Sequence, residues 1–141
     1  MDTAARSRSI IVLEDDVDLL EATVDALRIK GYTVEGYTEA HAAIDRLQRP
    51  PMACLAIVDY WLGPPMDGDK VVQALRDAGV TVPVVVATAV HPRKINRQLL
   101  DSLGVAAVLA KPFGLHRLVQ VIEGAADWAQ EGQDGLPPEL G

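Results

Sequence analysis

The chain has 141 residues, of which 49% are hydrophobic and 4% aromatic, and its 13 basic and 20 acidic side chains give a formal net charge of -7. That charge argues against direct nucleic-acid binding, which depends on neutralising phosphates, and no apolar run approaches the ~20 residues of a membrane span. As the only cysteine, Cys54 cannot form an internal disulfide, and we expect it to be a small buried side chain in a cytoplasmic protein.

Five apolar runs alternate with five segments of helical periodicity, which is typical of a parallel sheet built from repeated strand–helix units. The predicted strands are 9–13, 32–37, 54–58, 82–87 and 105–110. The first predicted helix is 17–30, and the last two are 93–103 and 115–129. The second is capped by Thr38 and ends before Pro50. The third follows a loop over 60–68 and ends at Gly79. We expect an N-terminal extension over 1–8, one domain over 9–129 and a flexible tail over 130–141.

Polar residues stand at the ends of four of these strands. Glu14-Asp15 follow the first and Asp59 the third, while Thr88 and Lys111 follow the fourth and fifth. Because ligands bind outside the carboxyl ends of the strands in open parallel sheets, we expect these side chains to converge on one edge. Carboxylates, a hydroxyl and an ammonium together suit a divalent cation and a phosphoryl group.

The predicted carboxylate cluster of Glu14, Asp15 and Asp59 needs a counter-charge. Two like charges ~4 Å apart repel by about 4 kcal/mol at an effective dielectric near 20, so such a cluster is tolerated only if it is protonated or shared with a cation. Mg²⁺ fits, since it is held by one or two carboxylates together with waters and a phosphate oxygen. For Asp16 and Asp18 we favour a capping and helix-dipole role instead.

Asp59 is the candidate nucleophile of this edge. A carboxylate beside a cation can attack an activated phosphoryl donor and become an acyl phosphate, and such a transfer depends mainly on alignment and charge neutralisation. Lys111 would supply a charge for a phosphate oxygen, Thr88 a hydroxyl, and Ala89 a backbone N–H. Each is common as a structural residue, and it is their joint occurrence at the right strand ends that indicates a site.

Short motifs surround these residues in a recognisable order: Glu14-Asp15, Asp59, Met66-Asp67-Gly68, Thr88-Ala89 and Lys111-Pro112-Phe113. As a set they make the chain resemble the receiver domain of two-component response regulators, from about residue 9 to residue 129. The resemblance implies a flavodoxin-like, doubly wound sheet of five parallel strands in the order 2-1-3-4-5, with five helices.

The resemblance also implies roles for the individual residues. Asp59 would be the phosphoacceptor, assisted by Thr88 and Lys111. Mg²⁺ would be held by Asp15, Asp59 and the backbone carbonyl of Trp61, with Glu14 acting through water. The phosphodonor would be a phosphohistidine on a sensor histidine kinase or histidine phosphotransfer protein, and a downstream target protein would dock on the face formed by helix four, strand five and helix five. Such a receiver promotes its own phosphorylation and dephosphorylation and turns over no separate substrate.

Two departures from the family pattern concern the loop after Asp59 and the switch. Gly63-Pro64-Pro65 make that loop one residue longer than usual, so we expect metal binding at Asp59 to persist while the outer path of the loop differs. Val108 stands where the family usually has Tyr or Phe, and a valine cannot report an inward movement of Thr88 as a rotating ring does.

Two bulky residues, Trp61 and Val90, are expected to flank the phosphoryl group. There they would exclude the water that hydrolyses the acyl phosphate, which predicts slow self-dephosphorylation. A Trp61 side chain that simply lies on the surface is the competing interpretation.

Other functions are less consistent with the sequence. An Mg²⁺-dependent phosphatase or phosphotransferase of the haloacid-dehalogenase type usually has a second Asp two residues after its nucleophile, and Trp61 stands there. A nucleotide or flavin binder needs a Gly/Ser/Thr-rich turn after the first strand, where Glu14 to Asp16 would repel a phosphate. We interpret the chain as a stand-alone receiver, although a receiver cut from a larger regulator or hybrid kinase would have the same sequence. Homodimerisation is left open.

Overall fold

All five strands pair in parallel in one sheet, with the second strand at one edge, followed by the first, third, fourth and fifth. The computed structural model describes residues 8–62, 67–89 and 95–128. The strands are β1 (Ser9–Leu13), β2 (Thr33–Tyr37), β3 (Leu55–Asp59), β4 (Val84–Thr88) and β5 (Ala107–Ala110). The helices are α1 (Val17–Ile29), α2 (Ala40–Leu47), α3 (Gly68–Asp77), α4 (Arg97–Ser102) and α5 (Leu115–Ala125). The predicted flavodoxin-like sheet with five helices is confirmed.

The sheet is covered by helices on both faces, because side chains of a strand alternate between faces and the central strands are apolar at successive positions. Helices α2, α3 and α4 cover one face, and their side chains together with alternate strand residues form what we call the α2–α4 core. Helices α1 and α5 cover the other face and form the α1/α5 core. The strand residues of the α2–α4 core are Ile11, Leu13, Ala56, Val58, Val84 and Val86, and those of the α1/α5 core are Ile10, Val12, Val34, Leu55, Ile57, Val85 and Leu109.

Two helices begin at caps that bear on the predictions. Asp16 caps α1 by accepting a hydrogen bond from the Leu19 N–H at 3.1 Å, as the capping interpretation of that residue requires. The prediction that Thr38 caps the second helix was wrong, since Glu39 occupies the N-cap and makes no side-chain capping bond. The local sequence signal failed there because the entry of α2 does not depend on a capping side chain.

The last two helices are shorter than predicted. Asn96 caps α4 by accepting from the Leu99 N–H at 3.0 Å, and the predicted start of this helix at residue 93 lies outside the described residues. Helix α5 ends at Ala125 because Ala126 takes an extended conformation, with φ -68° and ψ 158°. Across the described ranges no helix is long and apolar enough to cross a bilayer.

The chain that follows α5 packs against the end of the sheet at which the strands begin. The Trp128 ring stacks on Tyr32 with centroids 5.8 Å apart, and the Arg8 guanidinium lies 5.3 Å from its ring centre. The Trp128 indole N–H donates to Glu123 at 3.0 Å, and the Tyr32 hydroxyl donates to the same carboxylate. Trp128 therefore covers the edge of the α1/α5 core, at the opposite end of the sheet from Asp59.

Arg76, at the end of α3, ties together two loops on the α2–α4 side. Its guanidinium donates to the backbone carbonyls of Leu103 at 2.7 Å, Val80 at 3.0 Å, Val82 at 2.9 Å and Gly104 at 3.4 Å. Burial lowers the pKa of Arg76, and backbone carbonyls rather than a carboxylate satisfy its donors. It therefore contributes to stability mainly through hydrogen bonds.

We expect Arg76→Met to lower the free energy of unfolding by about 2–3 kcal/mol, because the substitution leaves partly buried carbonyls without their donor. Arg97→Met is the matched control, since Arg97 forms an exposed ion pair with Asp101 at 3.1 Å on α4, and such pairs contribute about 0–1 kcal/mol. Urea unfolding of both variants measures the difference. Equal losses in the two would contradict the assigned role of Arg76.

Candidate functional site

The carboxyl ends of four strands bring Glu14, Asp59, Thr88 and Lys111 to one edge of the sheet. Backbone hydrogen bonds continue past the strand ends and hold these positions: Glu14 N–H donates to the Tyr37 carbonyl at 3.0 Å, and Lys111 N–H donates to the Thr88 carbonyl at 2.7 Å. Strand pairing places Thr88 opposite Ala110, the residue before Lys111. The parallel register therefore assembles residues that are far apart in the chain.

Three carboxylates lie together at this edge. Glu14, Asp15 and Asp59 each offer an oxygen within 4.8 Å of the others. Glu14 and Asp59 are only 6% and 5% exposed, whereas Asp15 is exposed to solvent. Two of the three carboxylates are thus removed from water. An unpaired carboxylate is unfavourable in such a buried position.

Lys111 is the cation nearest to this cluster among the described residues. Its Nζ donates to Glu14 Oε1 at 2.6 Å and lies 3.2 Å from Asp59 Oδ1. The other oxygen of Glu14 accepts from the Asp16 N–H at 3.2 Å, and Asp59 Oδ1 accepts from the Trp61 N–H at 3.4 Å. The sequence predicts Lys111 as a phosphate ligand, and in the structure its ammonium contacts the two buried carboxylates.

The pKa values in the cluster reflect burial and these contacts. Burial raises the pKa of Asp59 to about 7, and a hydrogen bond with Glu14 and its charge act in the same direction while Lys111 opposes them. Burial also pushes the Glu14 pKa upward, but hydrogen bonds with Lys111, Asp59 and the Asp16 backbone outweigh it and lower the value. Burial opposes the charge of Lys111, yet Glu14 and Asp59 together raise its pKa. Glu14 therefore holds its charge more firmly than Asp59.

The donor set of this cluster fits a hard divalent cation. Three carboxylates face one ammonium among the described residues, and all the candidate ligand atoms are oxygens. Oxygen ligands with carboxylate charge suit Mg²⁺, which keeps several of its waters, and the exposed Asp15 leaves the cluster open on the solvent side. A cation beside Asp59 would also favour its ionised form over the protonated one.

A glycine holds the backbone close to Asp59. Gly68, the first residue of α3, donates its N–H to the Tyr60 carbonyl at 2.7 Å. A Cβ at this position would lie 2.7 Å from both the Asp59 carbonyl oxygen and the Tyr60 Cα. The last position of the Met66-Asp67-Gly68 motif thus requires glycine, because any larger residue there would push on the backbone of Asp59.

The remaining predicted site residues lie around this centre or apart from it. Ala89 is exposed and, with Leu19, Lys111, Pro112 and Phe113, lines a mostly apolar cavity of about 260 Å³ beside the cluster. The Trp61 residue is 58% exposed, which agrees with the surface interpretation of its ring. Val108 packs partly buried against the α2–α4 core rather than at the cluster. Val90 and the loop residues 63–66 lie outside the described residues.

The sequence interpretation missed Tyr60. Its ring packs against the α2–α4 core, and its N–H donates to the Ala87 carbonyl at 2.8 Å. The only signal in the sequence was a tyrosine directly after the candidate nucleophile, and nothing local showed that its ring packs into this core.

Comparisons with known proteins agree with one another. The family described as response regulator receiver domain matches residues 10–123. The response regulator RppA of Synechocystis is 34% identical over 111 residues, which cover 78% of this chain and 47% of RppA. The response regulator receiver protein CpdR of Brucella abortus is 31% identical over 116 residues, covering 82% of this chain and 94% of CpdR. The chain therefore spans about half of one relative and nearly all of another.

A solved structure gives the same result for the fold. A response regulator receiver domain protein (CheY-like) from Methanospirillum hungatei superposes with a TM-score of 0.75 at 22% identity, covering 92% of this chain and 98% of that one. The similarity covers the sheet and the helices on both of its faces.

Proposed function

This chain belongs to the family of response regulator receiver domains, and we propose that it accepts a phosphoryl group on Asp59 from a phosphohistidine of a sensor histidine kinase or histidine phosphotransfer protein. The observation that carries the proposal is a buried Asp59 with Lys111 Nζ 3.2 Å away and the carboxylates of Glu14 and Asp15 beside it. A structural aspartate would not need two further acidic neighbours at a buried strand end.

In the proposed transfer, a carboxylate oxygen of Asp59 forms a bond to phosphorus while the P–N bond of the donor breaks. The electron pair of that bond leaves with the imidazole nitrogen, and the product is an acyl phosphate on Asp59. Lys111 moves its contact from the carboxylates to a phosphoryl oxygen, and the Thr88 hydroxyl and the Ala89 N–H donate to the others. Little more is required of the protein, because phosphoryl transfer depends on positioning and charge stabilisation.

Asp15, Asp59 and the backbone carbonyl of Trp61 would hold Mg²⁺, with Glu14 acting through a water molecule. When bound, the ion supplies charge neutralisation for the phosphoryl oxygens. Support for this ligand set comes from the oxygen-only cluster and from the exposure of Asp15. Glu14 keeps its hydrogen bonds to Lys111 and to the Asp16 N–H, so it also fixes the ammonium near Asp59.

The partners that fit this function are proteins. The cavity of about 260 Å³ next to Lys111 offers an apolar surface on which the donor protein can place a side chain beside the site. A downstream target would dock on the face of α4, β5 and α5, and neither nucleic acid nor a membrane is a direct partner. We propose a cytoplasmic receiver domain over 9–129 that catalyses no reaction on a separate substrate. Its native chain is either a stand-alone receiver or part of a longer regulator, and homodimerisation stays open.

Phosphoramidate is the probe that tests the donor chemistry, because it carries the same P–N bond as a phosphohistidine. We expect the full chain to gain the mass of one phosphoryl group with phosphoramidate and Mg²⁺, and to gain none when EDTA replaces Mg²⁺. Intact-mass spectrometry at several times measures both. Uptake that is equal with and without EDTA would contradict the metal site, and no uptake in Mg²⁺ would contradict the function.

A further inference from the structure

The backbone of Glu14 is hydrogen-bonded to the end of an edge strand. Among the described strands, β2 is paired only with β1. Its last residue, Tyr37, lies opposite Leu13, and the Tyr37 carbonyl accepts from the Glu14 N–H at 3.0 Å. This hydrogen bond extends the ladder past the end of β1. The end of β2 therefore helps to set the position of Glu14, whose carboxylate accepts from Lys111 Nζ at 2.6 Å.

Two side chains hold this strand end against α2. The Tyr37 ring packs partly buried against the α2–α4 core, and its hydroxyl donates to Glu35 Oε1 at 2.8 Å. Arg46 of α2 donates from its Nε to both oxygens of Glu35, at 3.0 Å and 3.3 Å. Gly36 lies between the two β2 residues and has no side chain to contribute. The end of β2 is thus fixed to α2 through Tyr37 and Glu35.

The charges of Glu35 and Arg46 strengthen these hydrogen bonds. Arg46 is only 9% exposed, and its Nη1 donates to the Arg49 carbonyl at 3.0 Å, just beyond the end of α2. Burial pushes the pKa of Glu35 upward, but hydrogen bonds from Tyr37 and Arg46 outweigh it and lower the value. Glu35 is therefore ionised at neutral pH, and a hydrogen bond to an ionised acceptor is about twice as strong as a neutral one.

We propose that Tyr37 is a positioning residue for phosphoryl transfer: its hydroxyl bond to Glu35 fixes the end of β2, and its carbonyl in turn fixes Glu14. This inference rests on the proposed function, because the reaction that it serves is the transfer to Asp59. Glu14 passes the constraint on, since its carboxylate holds the Lys111 ammonium, which lies 3.2 Å from Asp59 Oδ1. Tyr37 acts only through Glu14 and takes no direct part in the transfer.

Tyr37→Phe tests this role, because it removes the hydroxyl and keeps the ring. We expect the initial rate of phosphoryl uptake from phosphoramidate at saturating Mg²⁺ to fall by about 3- to 10-fold, since even small displacements slow a positioned reaction. Intact mass of the full chain gives the rate. Tyr32→Phe is the matched control: Tyr32 stands just before β2, and its hydroxyl donates to Glu123 at the opposite end of the sheet. Its variant should stay within about 2-fold of the parent, because it leaves the Glu14 contacts intact.

A double-mutant cycle with Glu14→Gln separates positioning from a general loss of stability. Glutamine keeps the backbone and the shape of residue 14 but removes the charge that holds the Lys111 ammonium. If Tyr37 acts through Glu14, its hydroxyl no longer matters in that background. We therefore expect Tyr37→Phe to slow the Glu14→Gln variant by less than about 2-fold, because mutations that act through one contact are not additive.

Three results would overturn the inference. The first is a Tyr37→Phe variant as fast as the parent, and the second is equal slowing by Tyr32→Phe and Tyr37→Phe. The third is a Tyr37→Phe substitution that slows the parent and the Glu14→Gln variant by the same factor, since Tyr37 would then act by another route. Failure of the parent to take up a phosphoryl group overturns the proposed function as well, and it differs from these results, in all of which the parent is phosphorylated.

Discussion

Replacing Lys111 by methionine is expected to slow phosphorylation of Asp59 by about 100-fold, the usual effect of removing one charge-stabilising donor from a transition state. Methionine keeps most of the length of the side chain but removes the ammonium that lies 2.6 Å from Glu14 and 3.2 Å from Asp59. The incoming phosphoryl oxygens then lose a cation, and the buried carboxylates lose the charge that favours their ionised forms. The initial rate of phosphoryl uptake from phosphoramidate, read by intact mass, gives the effect.

Lys70→Met is the control for this substitution. Lys70 is an exposed residue of α3, so its variant loses the same charge from the surface of the protein. We expect its rate to stay within about 2-fold of the parent, because exposed charges are screened by water and salt. Thermal unfolding confirms that both variants are folded before their rates are compared. Equal slowing by both substitutions would contradict this role. It would mean that the charge of Lys111 acts at long range and not by direct contact with the phosphoryl group.

Gly68→Ala is expected to lower the free energy of unfolding by about 1–3 kcal/mol, the usual cost of forcing extra atoms into a packed site. The added Cβ would meet the Asp59 carbonyl oxygen and the Tyr60 Cα at 2.7 Å, and both are backbone atoms that cannot rotate away. Asp59 must shift to relieve the contact. Since small errors of alignment slow a positioned reaction strongly, phosphoryl uptake should also fall by about 10-fold or more.

Gly124→Ala is expected to change the free energy of unfolding in the opposite direction. Gly124 lies in α5, and a Cβ added there would meet nothing within 4 Å apart from its own helix. Alanine should therefore raise the free energy of unfolding by about 0.5–1 kcal/mol, as for any exposed glycine in a helix. Urea unfolding of the two variants tests the pair, and destabilisation of both by the same amount would contradict the close approach at Gly68.

The fold could be predicted from the sequence because each strand is a short apolar run and each helix has a periodic apolar face. β3 and β4 are buried at every position. Their apolar runs could therefore be recognised as strands without knowing which strands lie beside them. Helix starts were less predictable where the deciding contact is distant. Thr38 looked like a cap from its type alone, whereas α2 begins without a side-chain cap.

The residues that form the candidate site could be predicted from the sequence, whereas the contacts between their side chains were harder to predict. Asp59 and Lys111 could be placed at strand ends because a parallel sheet aligns those ends. The pairing of Lys111 with Glu14 joins side chains 97 positions apart in the chain, and the strand-end pattern alone does not say which of the clustered side chains meet. Tyr60 was missed for the same reason, since the α2–α4 core that its ring contacts is built from residues far along the chain and no local pattern shows the contact.

The most direct measurement compares the parent with the Asp59→Asn variant by intact mass, with Mg²⁺ and excess acetyl phosphate or phosphoramidate. Asparagine keeps the shape of the side chain but lacks the nucleophilic carboxylate, so it leaves the fold intact while removing the acceptor. We predict one added phosphoryl group on the parent and none on the variant. Equal uptake by the two would contradict the assignment of Asp59 as the residue that receives the phosphoryl group.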